Sequence, residues 1–151
     1  DLKTAQSLIE EVKQANSILS ALDGETERTF TVPCTDKLAG GVDYVEKIKP
    51  LFVGIKDKVG PIAVSMNGFD IKSVAVIAPV GASAEELISH VKTAKANGTM
   101  VNFTFHGIGG DHLSVDSAAH RALLHYLMDN RNDYWVDTFK NISLYVTEKM
   151  D

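Results

Sequence analysis

The sequence predicts a parallel α/β fold, read as the C-terminal part of a larger barrel. Three observations predict it. Short apolar strand-like runs alternate with amphipathic helical runs along the 151 residues, and such alternation with short connections requires parallel pairing. The strand-like runs number five, too few to close a barrel. The chain also opens on a helix with no strand before it, which leaves a sheet edge to be covered. The expectation is one partial domain over residues 1–151, with its first strands upstream of Asp1 and the open edge covered by that segment or by a second chain.

The elements follow in order. Leu2, Ala5, Leu8, Ile9, Val12, Ala15, Leu19 and Leu22 fall on one helical face, with Lys3, Glu10, Glu11, Lys13 and Gln14 largely off it. Asp23-Gly24 stops this helix, because glycine turns left-handed past a helix end without a Cβ penalty. Residues 28–32 are a short β run cut off by Pro33. Residues 35–42 are a loop broken by Gly40 and Gly41. Asp43 caps a short helix to Lys49, and Pro50 ends it. Residues 51–55 are the second strand. Residues 56–73 lack a period and hold Gly60, Pro61 and Gly68, so they read as a long functional loop with one short strand at 62–64. Residues 74–77 are the third strand, ended by Pro79. Ser83 and Glu86 form a capping box for a helix to Ala96, which Asn97-Gly98 stops. Residues 100–105 are the fourth strand. Ser114 or Asp116 caps a helix that buries Ala118, Ala119, Ala122, Leu123, Tyr126 and Leu127. Residues 134–136 are the fifth strand, and Thr138 caps a final helix carrying Phe139, Ile142, Tyr145 and Val146.

Hydrophobic residues make up 44% and charged residues 23%, the balance of a globular domain. A net charge of −5 and a pI near 5.5 argue against nucleic acid or an anionic membrane as partner. No apolar run approaches the roughly 20 residues of a membrane helix. There is no signal-peptide pattern, and the first residue is not Met. Cys34 is the single cysteine and excludes an internal disulfide. Asn97, Asn102 and Asn141 begin glycosylation sequons, of which Asn102 falls inside a predicted strand.

His106 is the leading candidate for chemistry. It ends the fourth predicted strand, and parallel α/β folds place their chemistry at that edge. An imidazole there suits a general acid, or it hydrogen-bonds a loop carbonyl. The following Gly107-Ile108-Gly109-Gly110 lets the backbone leave the strand sharply and leaves room for a ligand. Asp111 and His112 either touch substrate, orient His106, or form a solvated cap for the next helix. Pro33-Cys34 ends the first strand, and a turn there exposes N–H groups to an oxyanion. The Cys34 thiol has no basic or helix-terminal neighbour to activate it, so it reads as a buried or half-buried free cysteine. His90 and His120 read as solvent-facing, and neither they nor His125 receive a function. Apart from His106 and His112, which flank a loop at a spacing that is not diagnostic, no zinc spacing occurs, nor does a nucleophile elbow, P-loop or dinucleotide fingerprint.

Arg28-Thr29-Phe30-Thr31-Val32-Pro33-Cys34, the Gly40-Gly41 loop, Phe103-Thr104-Phe105-His106-Gly107-Ile108-Gly109 and Tyr134-Trp135-Val136-Asp137-Thr138-Phe139 resemble, in order, the later motifs of the polysaccharide deacetylases. These are carbohydrate esterases, metal-dependent hydrolases that remove acetyl groups from polysaccharides. The resemblance covers nearly the whole chain. It implies the C-terminal part of a distorted (β/α) barrel with parallel strands, an acetylated carbohydrate substrate, and an extracellular or periplasmic setting. It implies a divalent metal, zinc by family habit, bound by Asp and His residues upstream of this chain. It casts His106 as the general acid and the Cys34 N–H as oxyanion donor, with Pro33, Gly107, Asp111 and His112 as substrate contacts. Thr31 stands where the family has an arginine, and the 56–73 loop replaces an acidic-aromatic motif. The implied activity therefore belongs to the intact domain, not to this chain by itself. Two alternatives stand beside it: a carbohydrate-binding barrel without the metal site, and a complete doubly wound α/β binding domain.

Overall fold

The computed structural model describes residues 4–150. Leu2 and Lys3 of the first predicted helix lie outside the described residues. In chain order the elements are α1 (Ala5–Asp23), β1 (Thr29–Thr31), β2 (Leu38–Ala39), β3 (Val42–Asp43), α2 (Val45–Ile48), β4 (Gly54–Val59), β5 (Val74–Val76), α3 (Ala84–Asn97), β6 (Gly107–Ile108), β7 (Ser114–Val115), α4 (Ser117–Asp129) and α5 (Phe139–Met150). The fold is mixed α/β with parallel strand pairing, as predicted. Among the described residues the strands close no barrel. No described helix is long and apolar enough to cross a membrane. Two compact units divide the chain: one holds residues up to 58, 70–74 and those from 138 onward, and the other holds 59–69 and 75–137.

In the first unit, Thr4 caps α1 by accepting from the Ser7 N–H, and left-handed Gly24 closes it by donating to Ser20 O. Ile9 and Val12 are buried with Val32, Ala39, Tyr44, Val45, Ile48, Phe52 and Ile55, and Ala5 and Leu8 pack against them. The rest of the predicted apolar stripe is not covered: Ala15 is exposed, as are Leu19 and Leu22, at 44% and 78%. β1 pairs parallel with β4, Phe30 opposite Ile55, and is the edge strand. The second predicted strand has moved from 51–55 to β4, because Pro50 sits in a 3-10 turn that takes up Lys49–Leu51. The predicted loop at 35–42 contains the antiparallel hairpin β2–β3. Gly40 and Gly41 at its tip have φ of 56° and 77°, which a two-residue hairpin turn of this twist requires. Asp43 Oδ1 accepts from the Val45 and Glu46 N–H groups and starts α2. Thr138 Oγ1 accepts from the Asn141 N–H and starts α5, whose Ser143 and Val146 are buried while Tyr145 is 49% exposed.

In the second unit, Ser83 and Glu86 form the predicted capping box of α3, and left-handed Gly98 ends it. Asp116, not Ser114, caps α4 through the Ala118 and Ala119 N–H groups. Leu87, Val91, Val115 and Leu123 form the core, with Phe103, Phe105, Ala119, Tyr126, Leu127 and Tyr134 packed against it; Ala118 is exposed. The predicted strand at 100–105 is reduced to one parallel bridge, Phe103 opposite Ile77. The predicted strand at 134–136 is irregular. Its place is held by side chains, with the Tyr126 and Tyr134 hydroxyls 2.9 Å apart and Lys95 paired to Asp133 at 2.8 Å. Residues 62–64 form no strand; Ala63 O instead accepts from Asn97 Nδ2 and Thr99 Oγ1 at 3.0 Å. His90 and His120 are half-buried rather than solvent-facing, their rings edge-on to Phe103 and Phe105 at 6.1 and 4.8 Å.

Candidate functional site

The candidate residues fall into both units. Pro33 and Cys34 belong to the first, and His106, Gly107, Asp111 and His112 to the second.

In the first unit, β1 leads into buried Val32, whose N–H donates to Lys56 O at 2.8 Å and extends the parallel pairing by one residue. Proline then fixes φ and the chain turns through Pro33–Thr35. Cys34 has φ 51° and ψ 19°, and Thr35 has φ 58°. The Thr35 N–H closes on Val32 O and the Asp36 N–H on Pro33 O. The Cys34 N–H has no acceptor among the described residues. The Cys34 side chain is exposed, which corrects the expectation of a buried or half-buried thiol. Tyr44 anchors the far side of the turn. It is 3% exposed and its hydroxyl donates to Asp36 O at 3.2 Å. Burial, then Asp36 and Asp43, push its phenol above the ordinary range.

The same edge holds a group that sequence reading missed. Asp57 on β4 is buried, its carboxylate accepting from Lys37 Nζ and Ser73 Oγ. An acidic residue between two lysines reads as a solvated turn, and only the continuation of the strand to Val59 turns its side chain inward.

In the second unit, the bridge at Phe103 is held by Ile77 N–H to Asn102 O and Thr104 N–H to Ile77 O, each 2.8 Å. Three residues past Phe103, His106 is exposed, and its ring has no hydrogen-bond partner among the described residues. The loop beyond it is shaped by parallel pairing of β6 with β7 and by the Gly109 N–H on Val115 O. Glycine is required twice. A Cβ on Gly107 would come within 2.6 Å of Gly110 O, and a Cβ on Gly109, at φ 78°, would run into Ser117 Oγ. Asp111 has φ 75° and its Oδ1 accepts from the His112 N–H at 2.7 Å; Leu113 has φ 54°. Asp111 and His112 are exposed. A surface depression of about 500 Å³ begins at Ser117, beside Gly109, and continues along Arg121 and His125. His125, given no function from sequence, lines it.

Among the described residues no group of three His, Cys, Asp or Glu side chains is placed to hold a metal ion. These residues do not fit the metal that the resemblance implies, and its ligands were expected upstream of them. No protein-family model matches the chain, and no curated protein and no solved structure matches it either.

Proposed function

We propose that this chain is the C-terminal part of a distorted (β/α) barrel that hydrolyses acetyl groups from a carbohydrate. The observation that carries this reading is the placement of backbone strain. The non-glycine residues with left-handed φ among those described are Cys34, Thr35, Asp111 and Leu113, and all four lie in the two loops already singled out by Cys34 and His106. Such conformations cost of order 1–3 kcal/mol each and concentrate at functional sites.

In the proposed chemistry the Cys34 N–H, free of an internal acceptor, donates to the oxyanion that develops on the acetyl carbonyl. For the second unit taken by itself, His106, exposed and with no hydrogen-bond partner among the described residues, is the proposed acid for a departing amine or alkoxide. In the first unit Pro33 sets the turn that carries the Cys34 N–H; in the second, Gly107, Asp111 and His112 are the proposed sugar contacts around His106. The nucleophile and the metal ligands come from outside the described residues. The exposed half of the α1 stripe and the free edge of β1 support a covering segment or a second chain there. A second reading, a carbohydrate-binding barrel without catalysis, is decided by whether the segment upstream of this chain carries the Asp and His ligands.

The test is acetate release from an N-acetylated oligosaccharide by the full gene product that carries this chain. His106→Ala is expected to lower kcat by about a hundredfold or more with bound metal unchanged. Full activity in His106→Ala removes the catalytic reading. Loss of metal in that variant makes His106 a ligand and moves the acid role to His112.

A further inference from the structure

The Asp57 carboxylate has no part in the chemistry proposed above, yet it is buried and held by three side chains of the first unit. Its side chain is 3% exposed. Oδ2 accepts from Lys37 Nζ at 2.5 Å and from Ser73 Oγ at 2.9 Å. Ser73 Oγ accepts in turn from Lys58 Nζ at 2.8 Å, and that ammonium lies 3.9 Å from Oδ1, which is buried without a hydrogen bond. As a stabilising device this is poor. Burying a carboxylate with one oxygen lacking a hydrogen bond forfeits solvation that ion pairing does not fully return. One lysine would neutralise the charge, but two converge, and the cluster carries one net positive charge. Both ammonium groups reach solvent, the lysine side chains being 35% and 49% exposed. Each ammonium has three donors, and these contacts engage one on Lys37 and one on Lys58.

The cluster is also placed for a ligand of the candidate site. Asp57 follows Lys56, whose carbonyl receives the Val32 N–H one residue before the Pro33 turn. The lysine pair and the Cys34 amide therefore share the C-terminal edge of the β1–β4 pair. We infer that Lys37 and Lys58, fixed by Asp57 and Ser73, form a subsite for the carboxylate of an acidic sugar, so that the carbohydrate is one containing uronate. This rests on the carbohydrate reading proposed above and names the class of sugar.

Amide NMR titration of the chain with sodium glucuronate, glucose and sodium acetate tests it. Glucuronate is expected to bind about tenfold tighter than glucose, a difference of about 1.4 kcal/mol, with shifts centred on residues 37, 57, 58 and 73. Lys58→Gln should abolish the preference and Lys58→Arg keep it. Because Lys37→Gln alone strands a buried carboxylate and can unfold the chain, the paired change Lys37→Gln with Asp57→Asn is used, and it too should abolish the preference. Equal binding of glucose and glucuronate overturns the inference. So does an equal response to acetate, which marks an adventitious ion only, and so does a preference that survives Lys58→Gln. Acetate release by the full gene product is read separately. Glucuronate preference without deacetylation keeps the subsite and removes the enzyme; deacetylation without the preference does the reverse.

Discussion

Replacing Cys34 isolates the energy stored in the turn after β1, because its side chain is exposed and its backbone is not relaxed. At φ 51° and ψ 19° an L-residue sits in the left-handed region, about 1–2 kcal/mol above what glycine experiences there. Glycine also loses more freedom on folding, which returns about 0.4–1 kcal/mol of that gain. With the thiol already in solvent, little buried area changes hands. Cys34→Gly is therefore expected to stabilise the chain by about 0.5–1 kcal/mol, equivalent to roughly 1–4 °C in Tm at this length. Cys34→Val should destabilise it by about 1 kcal/mol or more, since a β-branched residue tolerates this region worst. Cys34→Ser should be neutral in stability, and neutral in acetate release because the proposed role belongs to the amide. Urea denaturation of the four proteins measures the series. A Gly variant no more stable than the Val variant would refute the reasoning, since it would mean that the turn does not hold residue 34 left-handed in solution.

Gly109→Ala should cost about 2–3 kcal/mol, combining left-handed strain with the collision at Ser117 Oγ; adding Ser117→Ala should return only the packing share, and complete recovery would show that the left-handed backbone is not enforced. Gly54→Ala should cost about 1–3 kcal/mol, because the new Cβ falls 2.9 Å from the Cβ of fully buried Ser143, whose Oγ is held by Phe139 O at 2.6 Å. Ser143→Gly should rescue that variant despite the cost of about 1 kcal/mol for glycine within a helix, and simple additivity in denaturation would count against the contact. The Tyr134 phenol, pushed up to about 12 chiefly by its hydrogen bond with Tyr126 and secondarily by burial, stays protonated in the fold at pH values where an unfolded tyrosine has ionised. Its contribution is complete below about pH 10 and is lost as pH rises toward 12. Tyr126→Phe should move the Tyr134 phenolate absorbance step toward the ordinary value, and an unmoved step would leave the pairing without effect.

The helices were legible because their ends are written in side chains. Ser83 with Glu86, Asp116, Thr138 and the glycines at 24 and 98 each perform locally the task their type predicts. The strands were legible only as regions. Residues 51–55 look like a strand by composition, but Pro50 diverts the chain and pairing starts at Gly54, running on through Lys56, Asp57 and Lys58. That continuation depends on Lys37 and Ser73 reaching Asp57, two partners far along the chain that no local pattern announces. Tyr134, Trp135 and Val136 have strand-forming side chains, yet the Tyr126 hydroxyl and Lys95 fix that segment through side chains rather than a ladder. Cys34 was placed in its turn and misjudged in burial, because a cysteine's apolar type says little about exposure in a surface turn that follows a buried Val32.

The two candidate loops treat space and strain differently. Where a Cβ has no room, at Gly107 and Gly109, the sequence supplies glycine. Cys34 and Asp111 are exposed and left-handed, positions where glycine would also be conformationally easier, yet the sequence keeps side chains. Packing cannot require them, because neither side chain is buried. At Asp111 the side chain has a task, accepting from the His112 N–H and so stiffening the loop just past His106. At Cys34 the effect lies in the backbone: a left-handed L-residue in a turn closed by Thr35 and Asp36 has fewer alternative conformations than glycine and holds its N–H in one direction. A donor meant for a developing oxyanion benefits from that restriction, since its advantage over water lies in being already oriented. On the reading proposed above, the strain at both loops holds groups rigid for a ligand; full relaxation of the turn in Cys34→Gly with no loss of acetate release would count against it.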